Sequence, residues 1–219
     1  MADPKSFFLG SDIADYLVAH GTPPDSVQSA LIAETAAMGA ISGMQISPEQ
    51  GAFMTFLTKV LDVHFAVEVG TFTGYSALCI ARGLAAGGSL LCCDVSDEWT
   101  AIGRPHWEAA GVADRIEVRI APAIETLRSL PADLPVDLAF IDADKPSYAA
   151  YYDELLARLA PRGVILVDNV LWSGAVVDAK ADDENTVAIR KFNDMVAADS
   201  RVAAVMLPIG DGLTLITHA

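Results

Sequence analysis

The stretch FAVEVGTFTGYSALCIA, Phe65 to Ala81, decides the fold. An apolar run carrying one carboxylate, Glu68, stops at Gly70; a second glycine, Gly74, follows, and a helical pattern that includes Cys79 begins. Strand, glycine loop and helix form the opening unit of an open α/β sheet. Downstream the alternation continues. Short apolar runs at 89–94 (SLLCCD), 115–120 (RIEVRI), 136–142 (VDLAFID) and 163–168 (GVILVD) are separated by stretches of helical character. Such near-continuous apolar runs belong to parallel strands covered on both faces.

Outward from this core, residues 11–62 read as helical. Ser11-Asp12 can cap a first helix, and Pro23-Pro24-Asp25 opens a second with Val27, Ala30, Leu31 and Thr35 on one face. Ser47-Pro48-Glu49-Gln50 resembles a helix start with proline in its first turn, followed by Phe53, Phe56, Leu57 and Val60 at helical spacing. At the other end, a helix through about Ala198 precedes two runs, VAAVMLP and LTLITHA, joined by Ile209-Gly210-Asp211-Gly212. Gly-Asp-Gly is a hairpin signal. The expected architecture is a doubly wound, Rossmann-like seven-stranded sheet, mostly parallel with an antiparallel C-terminal strand pair. It forms one domain over 1–219, with a helical extension at 1–62 and the α/β core at 63–219.

Composition narrows the function. The chain has 219 residues, is 53% hydrophobic and carries a net charge of −15, with 14 Lys and Arg in all. That balance disfavours nucleic acid, whose phosphates need clustered basic residues, and tolerates a cationic ligand. The three cysteines, Cys79, Cys92 and Cys93, match no zinc spacing and read as small buried hydrophobes in a reducing compartment. The first residues, MADPKSFFLG, lack a signal peptide's basic and apolar regions, and no apolar run reaches the ~20 residues of a membrane span. The expectation is a cytoplasmic protein with no membrane partner.

In open α/β sheets ligands bind beyond the carboxyl ends of the strands, where Asp94, Asp142 and Asp168 all fall. The glycine loop follows neither G-x-G-x-x-G nor a phosphate-loop pattern. No Lys or Arg lies between Lys59 and Arg82, and Glu68 would repel a diphosphate. Asp94 could accept hydrogen bonds from two ribose hydroxyls, or could serve as a helix cap. S-adenosylmethionine fits: a ribose, an adenine, no phosphate and a positive sulfonium.

Asp142 ends one apolar run, and Asp168-Asn169 ends the next. Neighbouring strand ends would bring together two carboxylates and an amide oxygen. This hard-donor set suits Mg²⁺ first, with Mn²⁺ and Ca²⁺ as alternatives, and leaves positions for water and substrate. The alternative is a set of solvated strand-end caps paired with Lys145. Lys145, three residues after Asp142, either lies near such a cation and takes a proton from a hydroxyl or is a surface lysine paired with Asp144.

The segments VEVGTFTGYSAL, FIDADKPSYAAYYDELLARLAPRGVILVDNVLWSG, FND and LPIGDGLTL resemble, in order, the cation-dependent class I O-methyltransferases, the group of caffeoyl-CoA and catechol O-methyltransferases. The 26 residues from Asp142 to Asp168 agree with that resemblance. It implies that Asp142, Asp168 and Asn169 hold the metal, and that Lys145 is the general base with Asp142 beside it. It implies a donor pocket lined by Glu68, Gly70, Thr71, Ser76, Asp94, Ala123 and Asp144, with further contacts from Met44, Ile46 and Tyr151, and an acceptor bordered by Asp142, Trp172 and Ser173. Where plant enzymes carry a basic residue for the CoA group, this chain has Phe7-Phe8-Leu9, which speaks against CoA esters; Ala121-Pro122-Ala123 stands where Gly-Pro-Ala is usual.

The expected reaction is methyl transfer from S-adenosylmethionine to a hydroxyl of an aromatic vicinal diol. Alternatives are methylation of hydroxyuridine in transfer RNA, an NAD-dependent oxidoreductase, and a non-catalytic binding protein. The polar segment 175–186 reads either as a mobile cap over the acceptor or as an ordinary connection. Met206, Leu207 and Phe7-Phe8-Leu9 could pack across a homodimer or within a monomer.

Overall fold

Two faces of one sheet account for the sequence pattern. The computed structural model describes residues 8–219; Phe7 and the residues before it lie outside the described residues. The order of elements is α1 (Ser11–His20), α2 (Ser26–Ala36), α3 (Pro48–Val60), β1 (Phe65–Val69), α4 (Tyr75–Gly83), β2 (Ser89–Asp94), α5 (Asp97–Ala109), β3 (Ile116–Ile120), α6 (Ala123–Ser129), β4 (Val136–Ile141), α7 (Tyr148–Leu156), β5 (Leu159–Asp168), α8 (Glu184–Ala198), β6 (Val202–Leu207) and β7 (Leu213–His218). The seven strands lie in the order β3-β2-β1-β4-β5-β7-β6. β1 through β5 pair in parallel, while β7 runs antiparallel to both β5 and β6.

Side chains along each strand alternate between two apolar cores. Val67, Val69, Leu91, Cys93, Ala139, Ile141, Ile165 and Val167 pack with α6, α7 and α8 on one face. Ala66, Leu90, Cys92, Leu138, Phe140 and Leu166 pack with α3, α4 and α5 on the other. Each such fully buried large aliphatic contributes about 1.5–3 kcal/mol, so both faces must be covered. All three cysteines are free and buried, as expected.

The extension closes the second face. α2 starts with a reciprocal capping box: the Asp25 carboxylate accepts from the Val27 and Gln28 amides at 3.0 and 2.9 Å, and Gln28 Oε1 accepts from the Asp25 amide at 3.2 Å. Leu31 and Thr35 are its buried positions. For α1 the cap position is Gly10, with no side-chain hydrogen bond, so Ser11 is already helical rather than a cap. β5 begins at Leu159, earlier than the apolar run at Gly163, because Val136 pairs with Leu159 ahead of a register shift. Among the described residues no helix is long and apolar enough to cross a membrane.

The chain winds outward from β1 in both directions, so the switch point lies between β1 and β4. The crevice of such a sheet opens there, and Gly70 and Asp142 mark its two lips.

Candidate active site

A cleft of about 800 Å³ opens at the carboxyl ends of β1, β2, β4 and β5. One half is built by the glycine loop. Gly70 has φ +89°, and a Cβ added there would sit 2.2 Å from the Asp142 carbonyl oxygen. Glycine is therefore required twice over, by conformation and by the approach of the β4 backbone. Gly74, at φ +79°, leaves no space for a Cβ against Trp107, whose indole N–H donates to the Gly74 carbonyl at 3.0 Å.

Asp94 organises this loop. Its Oδ2 accepts from the Thr71 and Phe72 amides at 2.8 and 2.9 Å, and its Oδ1 from the Ser96 amide at 2.8 Å. Three of about four acceptor positions are used by backbone, so holding the loop is its first task, which the ribose expectation did not include. Of the residues the resemblance assigned to a donor pocket, Gly70, Thr71, Ser76, Asp94, Ala123, Asp144 and Tyr151 line the cleft, with Met44 and Ile46 reaching in from the extension. The Asp144 carboxylate faces the cleft and accepts from the Tyr151 and Ser147 hydroxyls. α2 is tied to the loop by the Thr35 hydroxyl, which donates to Thr73 Oγ1 at 2.8 Å.

Glu68 is different. It is fully buried on β1 and does not line the cleft. The Cys92 thiol donates to its Oε2 at 3.4 Å, while Oε1 has no hydrogen-bond partner. Burial pushes its carboxyl up to about 7, against weaker lowering by the nearby Ser76 and Thr71 hydroxyls. It stands one layer beneath the expected donor pocket.

The second half is built by β4 and β5. Their register places Ile141 opposite Val167, so Asp142 and Asp168 leave adjacent strand ends. Lys145 lies between them, only 9% exposed. Its Nζ donates to Asp142 Oδ1 at 3.2 Å, Asn169 Oδ1 at 2.7 Å and the Tyr148 hydroxyl at 2.6 Å. The expected alternative, a surface lysine paired with Asp144, is overturned: the side chain is buried and bonds to Asp142, Asn169 and Tyr148. Tyr148, which the sequence reading missed, donates in turn to the Asp168 carbonyl at 3.1 Å. Rings of Tyr148 and Trp172 lie 4.9 and 5.6 Å from Nζ, within cation–π range.

Asp168 is buried and does not line the cleft. Burial first, then the Asp142 charge, push its carboxyl well above the usual range. Gln50 of α3 approaches it without its Nε2 reaching hydrogen-bond geometry. Among the described residues no cluster of three or more His, Cys, Asp and Glu forms. Of the expected donors, the Asp142 carboxylate and the Asn169 amide oxygen are gathered on one cation, Nζ, while the Asp168 carboxylate accepts from the Asn169 backbone amide at 2.8 Å. This hard, oxygen-only set fits Mg²⁺ or Mn²⁺ and does not suit Zn²⁺.

Beyond β5 the chain turns through left-handed residues: Asn169 at φ 57°, Trp172 at 46° and Ser173 at 50°. Such conformations cost on the order of 1 kcal/mol each, and the hairpin between β6 and β7 holds them. Val170 and Leu171 amides donate to Gly212 and Asp211 carbonyls at 3.2 and 3.1 Å, and the Ser173 amide donates to Asp211 Oδ1 at 2.6 Å. Trp172 borders the main cleft and also a smaller one of about 590 Å³, whereas Ser173 lines only the smaller. The segment 175–186, one reading of which was a mobile cap, is tied down by Arg190. Its guanidinium donates to the carbonyls of Ala175, Val176 and Ala181 at 2.7, 2.9 and 2.7 Å, and to that of Asp178.

A family model described as O-methyltransferase matches residues 23–219. The chain is 38% identical over 211 residues to the protein named "Probable caffeoyl-CoA O-methyltransferase 1" of Dictyostelium discoideum, covering 94% of this chain and 92% of that one. Among solved structures, the O-methyltransferase from Bacillus cereus in complex with SAH is similar at a TM-score of 0.86 and 32% identity, covering 95% of this chain and 97% of its own. The O-methyltransferase TomG from Streptomyces achromogenes, involved in tomaymycin synthesis and solved with SAM, is similar at 0.87 and 26% identity over 100% of both chains.

Proposed function

The chain belongs to the O-methyltransferase family, and from that premise we propose that it transfers a methyl group from S-adenosylmethionine to one hydroxyl of an aromatic vicinal diol, assisted by a divalent cation, Mg²⁺ first, held by Asp142, Asp168 and Asn169. The observation that carries this reading is the convergence of Asp142 Oδ1 and Asn169 Oδ1 on a single cationic centre at the mouth of the cleft. Relatives solved with SAM and SAH support the donor.

When bound, the divalent cation supplies Lewis acidity that lowers the pKa of the acceptor hydroxyls. The residues do the rest. Gly70, Thr71 and Asp94 fix the donor side through backbone hydrogen bonds, Met44 and Ile46 close it, and Asp144 and Tyr151 border the passage between donor and cation. Lys145, in its amine form, takes the hydroxyl proton. Trp172 offers a ring face to the acceptor. Because the sulfonium methyl is already activated, orientation is the protein's larger contribution. Among the described residues that line the two clefts, Lys145 is the one basic side chain. That favours a small neutral diol over a CoA ester or transfer RNA. The exposed Val205 and Met206 on the edge strand β6 would be the homodimer contact.

The test is transfer of labelled methyl to a panel of catechols, caffeate, caffeoyl-CoA and flavonoids, with Mg²⁺ or excess chelator, by the wild type and Asp168→Ala. Label should enter vicinal diols only with the cation, and Asp168→Ala should lose about 10³-fold or more in turnover while still binding donor. Full transfer in chelator would reject the cation role.

A further inference from the structure

Lys145 has three N–H donors, and all three are engaged: Asp142 Oδ1, Asn169 Oδ1 and the Tyr148 hydroxyl. Two of these acceptors are the oxygens assigned above to a divalent cation. We propose that Lys145 is the internal counter-cation of this site, so that a divalent ion gains Asp142 and Asn169 only by driving the ammonium off their oxygens and toward the Trp172 face. The inference rests on the reading that Asp142, Asp168 and Asn169 hold a divalent cation.

Charge and space both support it. One ammonium faces the carboxylates of Asp142 and Asp168 in a nearly dry site, Lys145 being 9% and Asp168 3% exposed. A dication added beside it would put like charges at contact distance in low dielectric, where repulsion is strong. The lysine has a way out. Trp172 already lies 5.6 Å from Nζ and borders both clefts. Withdrawal toward that ring keeps a cation–π partner and carries the nitrogen to the side where an acceptor would sit. Cation binding and movement of Lys145 toward the acceptor side thus become a single event.

Calorimetric titration with Mn²⁺, with neither donor nor acceptor present, tests this without any turnover. Lys145→Met should bind Mn²⁺ about tenfold more tightly or better, the order expected when one like charge leaves a partly buried site. Lys145→Arg, which keeps the charge, should stay near the wild type. Lys145→Gln provides the same test should the Met variant fail to fold. Unchanged or weaker affinity in the neutral variants, with clear Mn²⁺ binding by the wild type, overturns the competition alone. If neither the wild type nor the neutral variants bind Mn²⁺ above an Asp168→Ala blank, the cation reading itself falls and takes the competition with it.

Discussion

The two halves of the cleft are assembled by different forces. On the donor side, Asp94 satisfies backbone amides, Trp107 satisfies a backbone carbonyl, and Thr35 meets Thr73. That half is held together by hydrogen bonds of the chain with itself. On the cation side, a single ammonium, Lys145 Nζ, draws together the Asp142 carboxylate and the Asn169 amide oxygen, and the loop after β5 stays in left-handed conformations because the β6–β7 hairpin grips it. A preformed binding wall needs satisfied groups, because unpaired buried polar atoms cost about 1–3 kcal/mol each. A site that must exchange one cation for another needs the opposite: groups whose pairing can be given up for a stronger partner.

Gly70 is the seam between these halves, and breaking it should have the larger effect on stability. In Gly70→Ala the new Cβ meets the Asp142 carbonyl at 2.2 Å and the backbone is held at φ +89°. Overpacking and conformational strain together should cost about 3–5 kcal/mol, read as a lowered urea midpoint, with donor and cation binding lost together. A loss under about 1 kcal/mol would mean that the two lips are not rigidly apposed.

Glu68 sharpens the contrast, being a fully buried carboxyl beneath the donor half with one oxygen unpartnered. Its folded-state carboxyl lies near 7, raised from 4.5. The folded protein therefore holds this proton more tightly than the unfolded chain. The associated stability is fully present below about 4.5, falls as pH rises, and is gone above about 7. Relative to the wild type, Glu68→Gln should gain about 2–3 kcal/mol between pH 4.5 and 7.5, seen in paired denaturant titrations. A pH-independent difference between the two proteins would show that Glu68 stays ionised in the fold.

The strands, the glycine loop and the acidic strand ends were legible because each is a local pattern: a run of apolar residues, a glycine at a forced turn, a carboxylate at a boundary. Tyr148, three residues after Lys145 at the start of α7, could have been found from that spacing. Gln50 and Arg190 could not. Gln50 matters because α3, packed along α4, carries it toward Asp168, and Arg190 because α8 passes under the carbonyls of 175–181. Neither contact leaves a trace in sequence spacing. The burial of Glu68 beneath the cleft was likewise invisible, since a carboxylate in a strand does not announce which face it joins.

The most direct measurement is an anomalous difference map from crystals grown with Mn²⁺ and S-adenosylhomocysteine. One strong peak should lie about 2.0–2.6 Å from oxygens of Asp142, Asp168 and Asn169, with Lys145 Nζ no longer bonded to Asp142 and Asn169. Full donor occupancy with no peak at these residues, or a peak held by other groups, would contradict the account.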